Sequence, residues 1–186
     1  MNAVKAVFLD RDGVINADPG VEYYVKRLSD FALLPGVTQA VRSLKQGGFK
    51  VFVVSNQSGI RRGAVEPQAL RKITARMRSE FKKAGASLDC VEYCVHDDED
   101  KCDCRKPKEG LYRNAVKGMA LDKSRSFCVG DTERDIESGK RFGIASLLVL
   151  SGKSKSQDVG KFQTKPDAVF KDLKGAAAWI LKKNAS

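Results

Sequence analysis

The 186-residue sequence predicts an α/β fold in which a parallel β-sheet lies between two layers of helices. Two observations lead to this prediction. Short apolar runs of strand length alternate with longer segments whose apolar residues recur at helical spacing. Glycine, proline or acidic turn residues separate these segments. Strands that alternate with helices are joined by right-handed crossovers, which produce a parallel sheet buried on both faces.

The predicted strands are short apolar runs that end in polar turns. Residues 3–9 lead into an acidic turn at 10–13, and residues 49–54 lead into a polar loop at 55–59. Further strands are predicted at 88–95, 126–129 and 145–150, with an edge strand at 168–170. In an open parallel sheet the active site lies beyond the carboxyl ends of the strands, so these polar turns are the first place to look for function.

Helices are predicted between the strands. Two have clear apolar faces, formed by Val37, Ala40, Val41 and Leu44 in the first and by Leu70, Ile73, Met77 and Phe81 in the second. Shorter helices are predicted at 109–119, 136–142 and 173–181. The Ser-, Gly- and Lys-rich stretch 151–165 is interpreted as a connection near the end of the chain. Residues 1–186 are therefore predicted to form a single domain.

The composition is that of a basic globular chain. Lysine and arginine total 34 against 23 acidic residues, which gives a net charge of +11. This charge attracts anions such as phosphate esters. Because the basic residues are spread along the chain without interleaved aromatic residues, nucleic-acid binding is not expected as the main role. No apolar run approaches the roughly 20 residues of a membrane span, and no signal peptide is apparent, so we expect a cytoplasmic monomer.

The acidic turn after the first strand is the first candidate for catalysis. Asp10 and Asp12 are separated by one residue and followed by glycine. Two carboxylates in such a turn can hold a hard divalent cation, with one attacking a substrate while the other donates and accepts a proton. The same pattern taken alone is also common in ordinary turns.

Three further signals follow in the chain. Ser55 and Asn56 follow the second strand, where a hydroxyl and backbone amides can bind a phosphoryl group. Lys106 can offset the charge of a nucleophile and a phosphate, and Arg105 can grip phosphate in a bidentate manner. Asp131, which follows a strand, can complete the ligands of a cation, although it could equally cap a helix.

Three of the five cysteines lie close to the only histidine. Cys94, His96, Cys102 and Cys104 have the spacing C-x-H-x5-C-x-C. Four such ligands can surround a tetrahedral Zn²⁺ with no open position, which is typical of a structural site. The bound Zn²⁺ would stabilise the acidic loop 97–101 and fix the position of Lys106. Reduced cysteines near a histidine are the alternative. Cys90 and Cys128 fall within predicted strands and are expected to be core residues.

The order of these motifs resembles the haloacid dehalogenase (HAD) superfamily of phosphotransferases. The resemblance runs from Val7 to about Val149 and implies a Rossmann-like three-layer fold and Mg²⁺. It implies that Asp10 is the nucleophile and Asp12 the general acid/base, that Ser55 and Lys106 bind the phosphoryl group, and that Asp10, Asp12 and Asp131 bind the metal. The spacing between these motifs leaves no room for an inserted cap domain.

The cysteine cluster narrows this resemblance to the histidinol-phosphatase-like subfamily. Residues 8–16, 55–60 and 102–107 are similar to the heptose 1,7-bisphosphate 7-phosphatases, which implies a phosphorylated sugar as substrate. Histidinol-phosphate phosphatases share nearly all of these motifs and are the alternative. A nucleic-acid-binding domain or a nucleic-acid 3′-phosphatase is the alternative from another class. Arg61 and Arg62 are candidates either for gripping a second phosphate or for a solvated surface.

Overall fold

The computed structural model of the protein describes residues 3–20 and 24–185, and a six-stranded parallel sheet forms the centre of this part of the chain. The strands are β1 (Ala6–Leu9), β2 (Lys50–Asn56), β3 (Cys90–Cys94), β4 (Phe127–Gly130), β5 (Ala145–Val149) and β6 (Ala168–Phe170). Their order across the sheet is β3-β2-β1-β4-β5-β6. The α/β prediction with a parallel central sheet is confirmed, and β1 lies between β2 and β4.

Helices cover both faces of the sheet. They are α1 (Val37–Gln46), α2 (Pro67–Lys83), α3 (Gly110–Ala115), α4 (Glu133–Phe142), α5 (Ser156–Val159) and α6 (Leu173–Ala185). One apolar cluster contains residues of α1, α2 and α6, and a second contains residues of α3 and the end of α4. The three-layer prediction is therefore confirmed.

Alternating residues of the strands feed these two clusters. On β1, Val7 and Leu9 belong to the first cluster, whereas Ala6 and Phe8 belong to the second. All four residues are fully buried, as expected for a strand inside a parallel sheet. A buried side chain of the size of Val, Leu or Phe contributes about 1.5–3 kcal/mol. The two-sided burial fixes where β1 ends, and with it the position of the acidic turn.

Several elements differ from the sequence prediction. The strand β2 extends to Asn56, so Ser55 and Asn56 end this strand and do not begin the loop after it. The strand predicted from residue 3 begins at Ala6, because Val4 makes only an isolated bridge to Leu121. The helix predicted to continue to residue 119 ends at Ala115, and the chain then turns at Gly118, whose φ is +78°. The short helix α5 lies inside the stretch that was predicted to be a connection.

The segments between the catalytic motifs are short, as predicted. Within the described residues between β1 and α1, the structure contains a single 3-10 turn at Leu28–Asp30. Between β2 and α3 the described elements are α2, β3 and a 3-10 turn at Asp98–Asp100. None of the described helices combines the length and the apolar character needed to span a membrane.

Candidate active site

The carboxyl ends of β1, β2 and β4 border a cavity of about 280 Å³. Adjacent parallel strands end at the same edge of a sheet, so the polar turns that follow them come together there. The cavity is lined by every residue that the sequence predicted for catalysis, for phosphate binding and for magnesium: Asp10, Asp12, Ser55, Asn56, Arg105, Lys106 and Asp131. The structure brings these residues together at one cavity, and their individual chemical roles stay predictions.

Lys106 is a buried cation that joins two carboxylates. Its Nζ donates hydrogen bonds to Asp10 Oδ1 at 2.6 Å, to Asp135 Oδ1 at 2.5 Å and to the main-chain oxygen of Val54 at 2.8 Å. Burial by itself lowers the pKa of a lysine, but the charges of Asp10 and Asp135 raise the pKa of Lys106 above its usual value. The ammonium group therefore stays charged and is fixed beside Asp10.

Asn56 holds the main chain of Lys106. Its Oδ1 accepts a hydrogen bond from Lys106 N at 3.0 Å, and its Nδ2 donates to Lys106 O at 3.1 Å. Asn56 was expected to bind phosphate or substrate. The amide oxygen and amide nitrogen of its side chain are instead engaged with the backbone of Lys106, which suits a residue that positions the lysine across 50 positions of sequence. Ser55 Oγ accepts a hydrogen bond from Gln57 Nε2 at 3.2 Å.

Three carboxylates are buried together at this site, those of Asp10, Asp131 and Asp135. Burial raises the pKa of Asp10 to about 6, even though Lys106 opposes this shift. Burial, together with the charges of Asp135 and Asp10, also raises the pKa of Asp131 well above its usual range. Three carboxylates against the single charge of Lys106 leave two negative charges when all are ionised. Since hard divalent cations prefer oxygen ligands, this excess fits Mg²⁺.

Two glycines allow Asp131 to lie close to the catalytic turn. A Cβ atom added at Gly13 would be 2.4 Å from Asp131 Oδ2, and one added at Gly152 would be 2.0 Å from the same oxygen. Gly13 also has a φ of +81°, which side-chain-bearing residues rarely adopt. The main-chain nitrogen of Lys153 donates to Asp131 Oδ2 at 2.8 Å. These contacts fix the Asp131 carboxylate.

Asp12 is surrounded by three donors to which the sequence analysis gave no role: Arg11, Asn16 and Gln57. Arg11 pairs with both carboxylate oxygens, while Asn16 Nδ2 donates to Oδ1 and Gln57 Nε2 donates to Oδ2, both at 2.9 Å. All three donors lie within the stretches 8–16 and 55–60 that carry the family resemblance. The sequence signal that could have indicated these donors is the presence of polar side chains in the segments that follow the buried strands.

The cysteine and histidine side chains meet in one cluster. The ligand atoms of Cys94, His96, Cys102 and Cys104 all lie within 4.8 Å of one another. The Sγ atoms of Cys94 and Cys104 each lie 3.6 Å from that of Cys102, and Cys104 Sγ is 3.4 Å from His96 Nδ1. With bonds of ~2.3 Å from zinc to sulfur and ~2.0 Å to nitrogen, a tetrahedral site has edges of ~3.5–3.8 Å. The donor set therefore fits Zn²⁺.

The other two cysteines lie outside this cluster. Cys128 is buried, and burial raises the pKa of its thiol to about 12. This agrees with the expectation of an inert core residue. Cys90 is half-buried on β3 and packs against the second apolar cluster rather than within it.

Three arginines pair with the acidic loop 97–101. Arg62 contacts Asp97, Arg61 contacts Asp100, and Arg105 contacts Asp98, with closest distances of 2.6, 3.0 and 2.7 Å. Arg62 and Arg105 line the cavity, whereas Arg61 is absent from the lining residues that the structure describes. The pKa of Asp97 is lowered below its usual range, mainly by the hydrogen bonds from Arg62. The acidic loop thus connects the cysteine cluster with the rim of the cavity.

The chain is similar to known sugar-bisphosphate phosphatases over almost its whole length. A HAD-hydrolase-like family model matches residues 103–176. The D-glycero-β-D-manno-heptose-1,7-bisphosphate 7-phosphatase of Haemophilus ducreyi is 38% identical and covers 91% of this chain and 94% of its own. The same enzyme of Pseudomonas aeruginosa is 35% identical, with 95% and 97% covered.

A solved structure shows the same architecture. The D,D-heptose 1,7-bisphosphate phosphatase from B. bronchiseptica, complexed with magnesium and phosphate, aligns with a TM-score of 0.87 and 32% identity. The alignment covers 97% of this chain and 99% of that one.

Proposed function

The chain belongs to the haloacid dehalogenase-like hydrolases, among the heptose 1,7-bisphosphate 7-phosphatases, and we propose that it removes the C7 phosphate of D-glycero-D-manno-heptose 1,7-bisphosphate through a phospho-aspartate. The observation that carries the mechanism is the contact between Lys106 Nζ and Asp10 Oδ1, inside the cavity that Asp12 and Asp131 also line. A charged lysine beside a carboxylate nucleophile offsets the repulsion between that carboxylate and an incoming phosphate.

The reaction has two steps in this proposal. Asp10 attacks phosphorus, the bond from phosphorus to the sugar oxygen breaks, and Asp12 gives its proton to the departing oxygen. Asp12 then takes a proton from the water that attacks the phospho-aspartate, which releases phosphate and restores the Asp10 carboxylate. Lys106 stays charged throughout, because Asp135 remains its second carboxylate partner.

Asp10, Asp131 and the main-chain oxygen of Asp12 would hold Mg²⁺. When bound, this ion supplies positive charge to the phosphate oxygens. The two excess negative charges of the buried carboxylates support this assignment, and the B. bronchiseptica structure is described as a complex with magnesium and phosphate.

The second phosphate of the substrate would be bound by arginines at the rim. Arg62 and Arg105 line the cavity and are held by the acidic loop; the side chain of Arg62 is 50% exposed and that of Arg105 is 10% exposed. Arginine binds phosphate through two parallel hydrogen bonds, which suits a bisphosphate. The relatives are named for the β-anomer, and we propose the same anomer here.

Zn²⁺ would occupy the cluster of Cys94, His96, Cys102 and Cys104 as a structural ion. The distances between the ligand atoms support this assignment. Metal analysis of the purified protein tests it, with about one zinc per chain expected. A cytoplasmic location and a monomeric state stay predictions.

The proposed function is tested by measuring phosphate release with Mg²⁺ present and with Mg²⁺ removed by a chelator. The substrates are both anomers of heptose 1,7-bisphosphate, histidinol phosphate and a 3′-phosphorylated oligonucleotide. We expect Mg²⁺-dependent release from the β-anomer at the highest kcat/KM. Preference for histidinol phosphate or the oligonucleotide would keep the mechanism and reject the substrate. No release from any substrate would reject the enzymatic function.

A further inference from the structure

Arg11 lies between the two aspartates of the catalytic turn and is completely buried. We infer that Arg11 is a positioning residue that fixes the Asp12 carboxylate for proton transfer to the leaving group, an inference that rests on the proposed function of Asp12. Arg11 is not among the residues that line the cavity, but it bonds to Asp12, which is. Its effect on the reaction is exerted through Asp12.

The contact between the two side chains fixes the plane of the carboxylate. Arg11 Nε donates to Asp12 Oδ1 at 3.0 Å, and Arg11 Nη2 donates to Oδ1 and to Oδ2, both at 2.9 Å. The guanidinium is planar and rigid, so bonds to both oxygens define the orientation of the carboxylate as well as its position. A lysine, which presents a point charge, could not impose this orientation.

The contacts around Arg11 indicate that Asp12 is its main partner. Within the part of the chain that the structure describes, Asp12 is the carboxylate that forms an ion pair with Arg11. Arg11 Nη1 is buried and has no hydrogen-bond partner among the described residues. On another side the guanidinium carbon lies 5.7 Å from the centre of the Tyr93 ring. A buried cation is costly unless it is paired, so Arg11 and Asp12 are held to each other.

The Asp12 side chain differs from Arg11 in its exposure. It is 25% exposed and lines the cavity, whereas the Arg11 side chain is 0% exposed. Asn16 donates a further hydrogen bond to Oδ1 of Asp12, and Gln57 donates one to Oδ2. Three side chains therefore fix the carboxylate while part of it remains exposed and lines the cavity, an arrangement that suits proton transfer to a bound substrate.

This role can be separated from a purely structural one by the choice of leaving group. A sugar alkoxide is strongly basic and needs a proton as it leaves, whereas p-nitrophenolate is weakly basic and leaves without one. The quantity kcat/KM reports only the steps up to formation of the phospho-aspartate, so it isolates the step in which Asp12 acts as an acid. Damage to the fold alone would lower kcat/KM for both substrates equally.

The test compares Arg11→Lys with the wild-type enzyme on its best sugar phosphate and on p-nitrophenyl phosphate. We expect kcat/KM to fall about a hundredfold for the sugar phosphate and by about threefold or less for p-nitrophenyl phosphate, in line with the contribution of general acids. In an Asp12→Asn background, Arg11→Lys should cause no further change in the ratio between the substrates. Equal losses on both substrates, or a changed ratio in the Asp12→Asn background, would overturn the inference.

A second measurement does not depend on the stability of Arg11 variants. Nitrogen-15 NMR of the arginine side chains should show one Nε–H signal protected from exchange in the wild-type protein. Asp12→Asn should remove this protection, and Asp10→Asn should leave it in place. Persistence of the protected signal in Asp12→Asn would overturn the inference.

The wild-type measurements distinguish failure of this inference from failure of the proposed function. If the wild-type protein prefers another alkyl phosphate, the proposed substrate is wrong, and the Arg11 comparison is made with that phosphate. If the wild-type protein hydrolyses neither substrate, the proposed function itself is rejected.

Discussion

The site around the acidic turn 10–13 and the loop 97–104, which contains the acidic loop and two cysteines of the cluster, are both rich in charged or metal-binding side chains. They are held in different ways. Asp10 and Asp131 are buried directly after β1 and β4, and Lys106 and Asp135 are buried beside them, in the loop before α3 and in α4. These four residues contact one another or the tightly packed glycines around them. The loop 97–104 is at least partly exposed, contains a 3-10 turn and has Lys101 in a left-handed conformation. Two of its carboxylates pair with Arg61 and Arg62, whose side chains are 62% and 50% exposed.

This difference separates the residues that packing of the fold holds in place from the loop 97–104, for which we propose a bound Zn²⁺. Packing of the sheet sets the catalytic groups, because buried strands have little freedom to move. Exposed ion pairs contribute little each, since solvent screens them and long side chains lose entropy. We therefore expect the loop to depend on the proposed Zn²⁺ and its four ligands for a fixed geometry. Changes in the catalytic turn should affect chemistry, and changes in the loop should affect order and substrate binding.

The largest effect is expected from Asp10→Asn. The amide is not a nucleophile, so turnover should fall by about 10⁴-fold or more. The fold should persist, because Lys106 keeps its bonds to Asp135 and to the main chain of Val54. Phosphate release and far-ultraviolet circular dichroism check both statements. An active, folded Asp10→Asn protein would show that another residue is the nucleophile.

The pH dependence of Mg²⁺ binding is the next test of the catalytic turn. The pKa of Asp10 is raised to about 6 in the metal-free folded state. The folded state therefore keeps a proton on Asp10 at pH values at which the unfolded chain has already released it. The contribution of Asp10 to stability is therefore present below the unfolded pKa and is lost as the pH rises through 6. Protons compete with Mg²⁺ over the same range, so Mg²⁺ affinity should fall about tenfold from pH 7 to pH 5.

Isothermal titration calorimetry across this range measures the Mg²⁺ affinity. Asp10→Asn is the control, because an amide does not titrate. Its Mg²⁺ affinity should be weaker at pH 7 and should vary less with pH. A wild-type affinity that does not change between pH 7 and pH 5 would contradict the raised pKa of Asp10.

Cys102→Ser tests whether the acidic loop needs the proposed Zn²⁺ for its geometry. Loss of one of four ligands should release zinc and raise KM for the sugar bisphosphate several-fold, to about tenfold, as Arg105 and Arg62 lose their fixed partners. The kcat should change less, because Lys106 is also held by Asn56. Zinc content and steady-state kinetics are the measurements. Cys90→Ser is the matched control, since Cys90 is half-buried but outside the cluster, and it should retain zinc.

The smallest effect is expected from Arg62→Ala. Its ion pair with Asp97 is exposed, so the melting temperature should change by no more than about two degrees. KM for a bisphosphate should rise about threefold to tenfold, whereas KM for a monophosphate should not change. Arg61→Ala is the control, because Arg61 makes a similar ion pair with the acidic loop and does not line the cavity. Equal effects of the two substitutions would assign Arg62 to the surface alone.

The sequence determined the elements of the fold and the identity of most site residues. Short apolar runs predicted the six strands, and helical spacing of apolar residues predicted all helices except α5. The positions of Asp10 and Asp131 directly after strands, and of Ser55 near the end of β2, indicated that they lie together, because carboxyl ends of parallel strands share one edge. The spacing of the cysteines and histidine predicted their cluster, since short chain segments restrict how far apart the ligands can lie.

The tertiary structure determined which polar groups form hydrogen bonds or ion pairs with one another. Nothing in the sequence indicated that Asn56 bonds to the backbone of Lys106, or that Asp135 shares the ammonium group with Asp10. These contacts join the end of β2, helix α4 and the loops that contain Asp10 and Lys106, and strand order and packing set their distances. Arg11 and Asp12 are neighbours in sequence, yet their pairing depends on burial beneath the turn. Local patterns specify elements, whereas long-range packing selects the partners of each polar group.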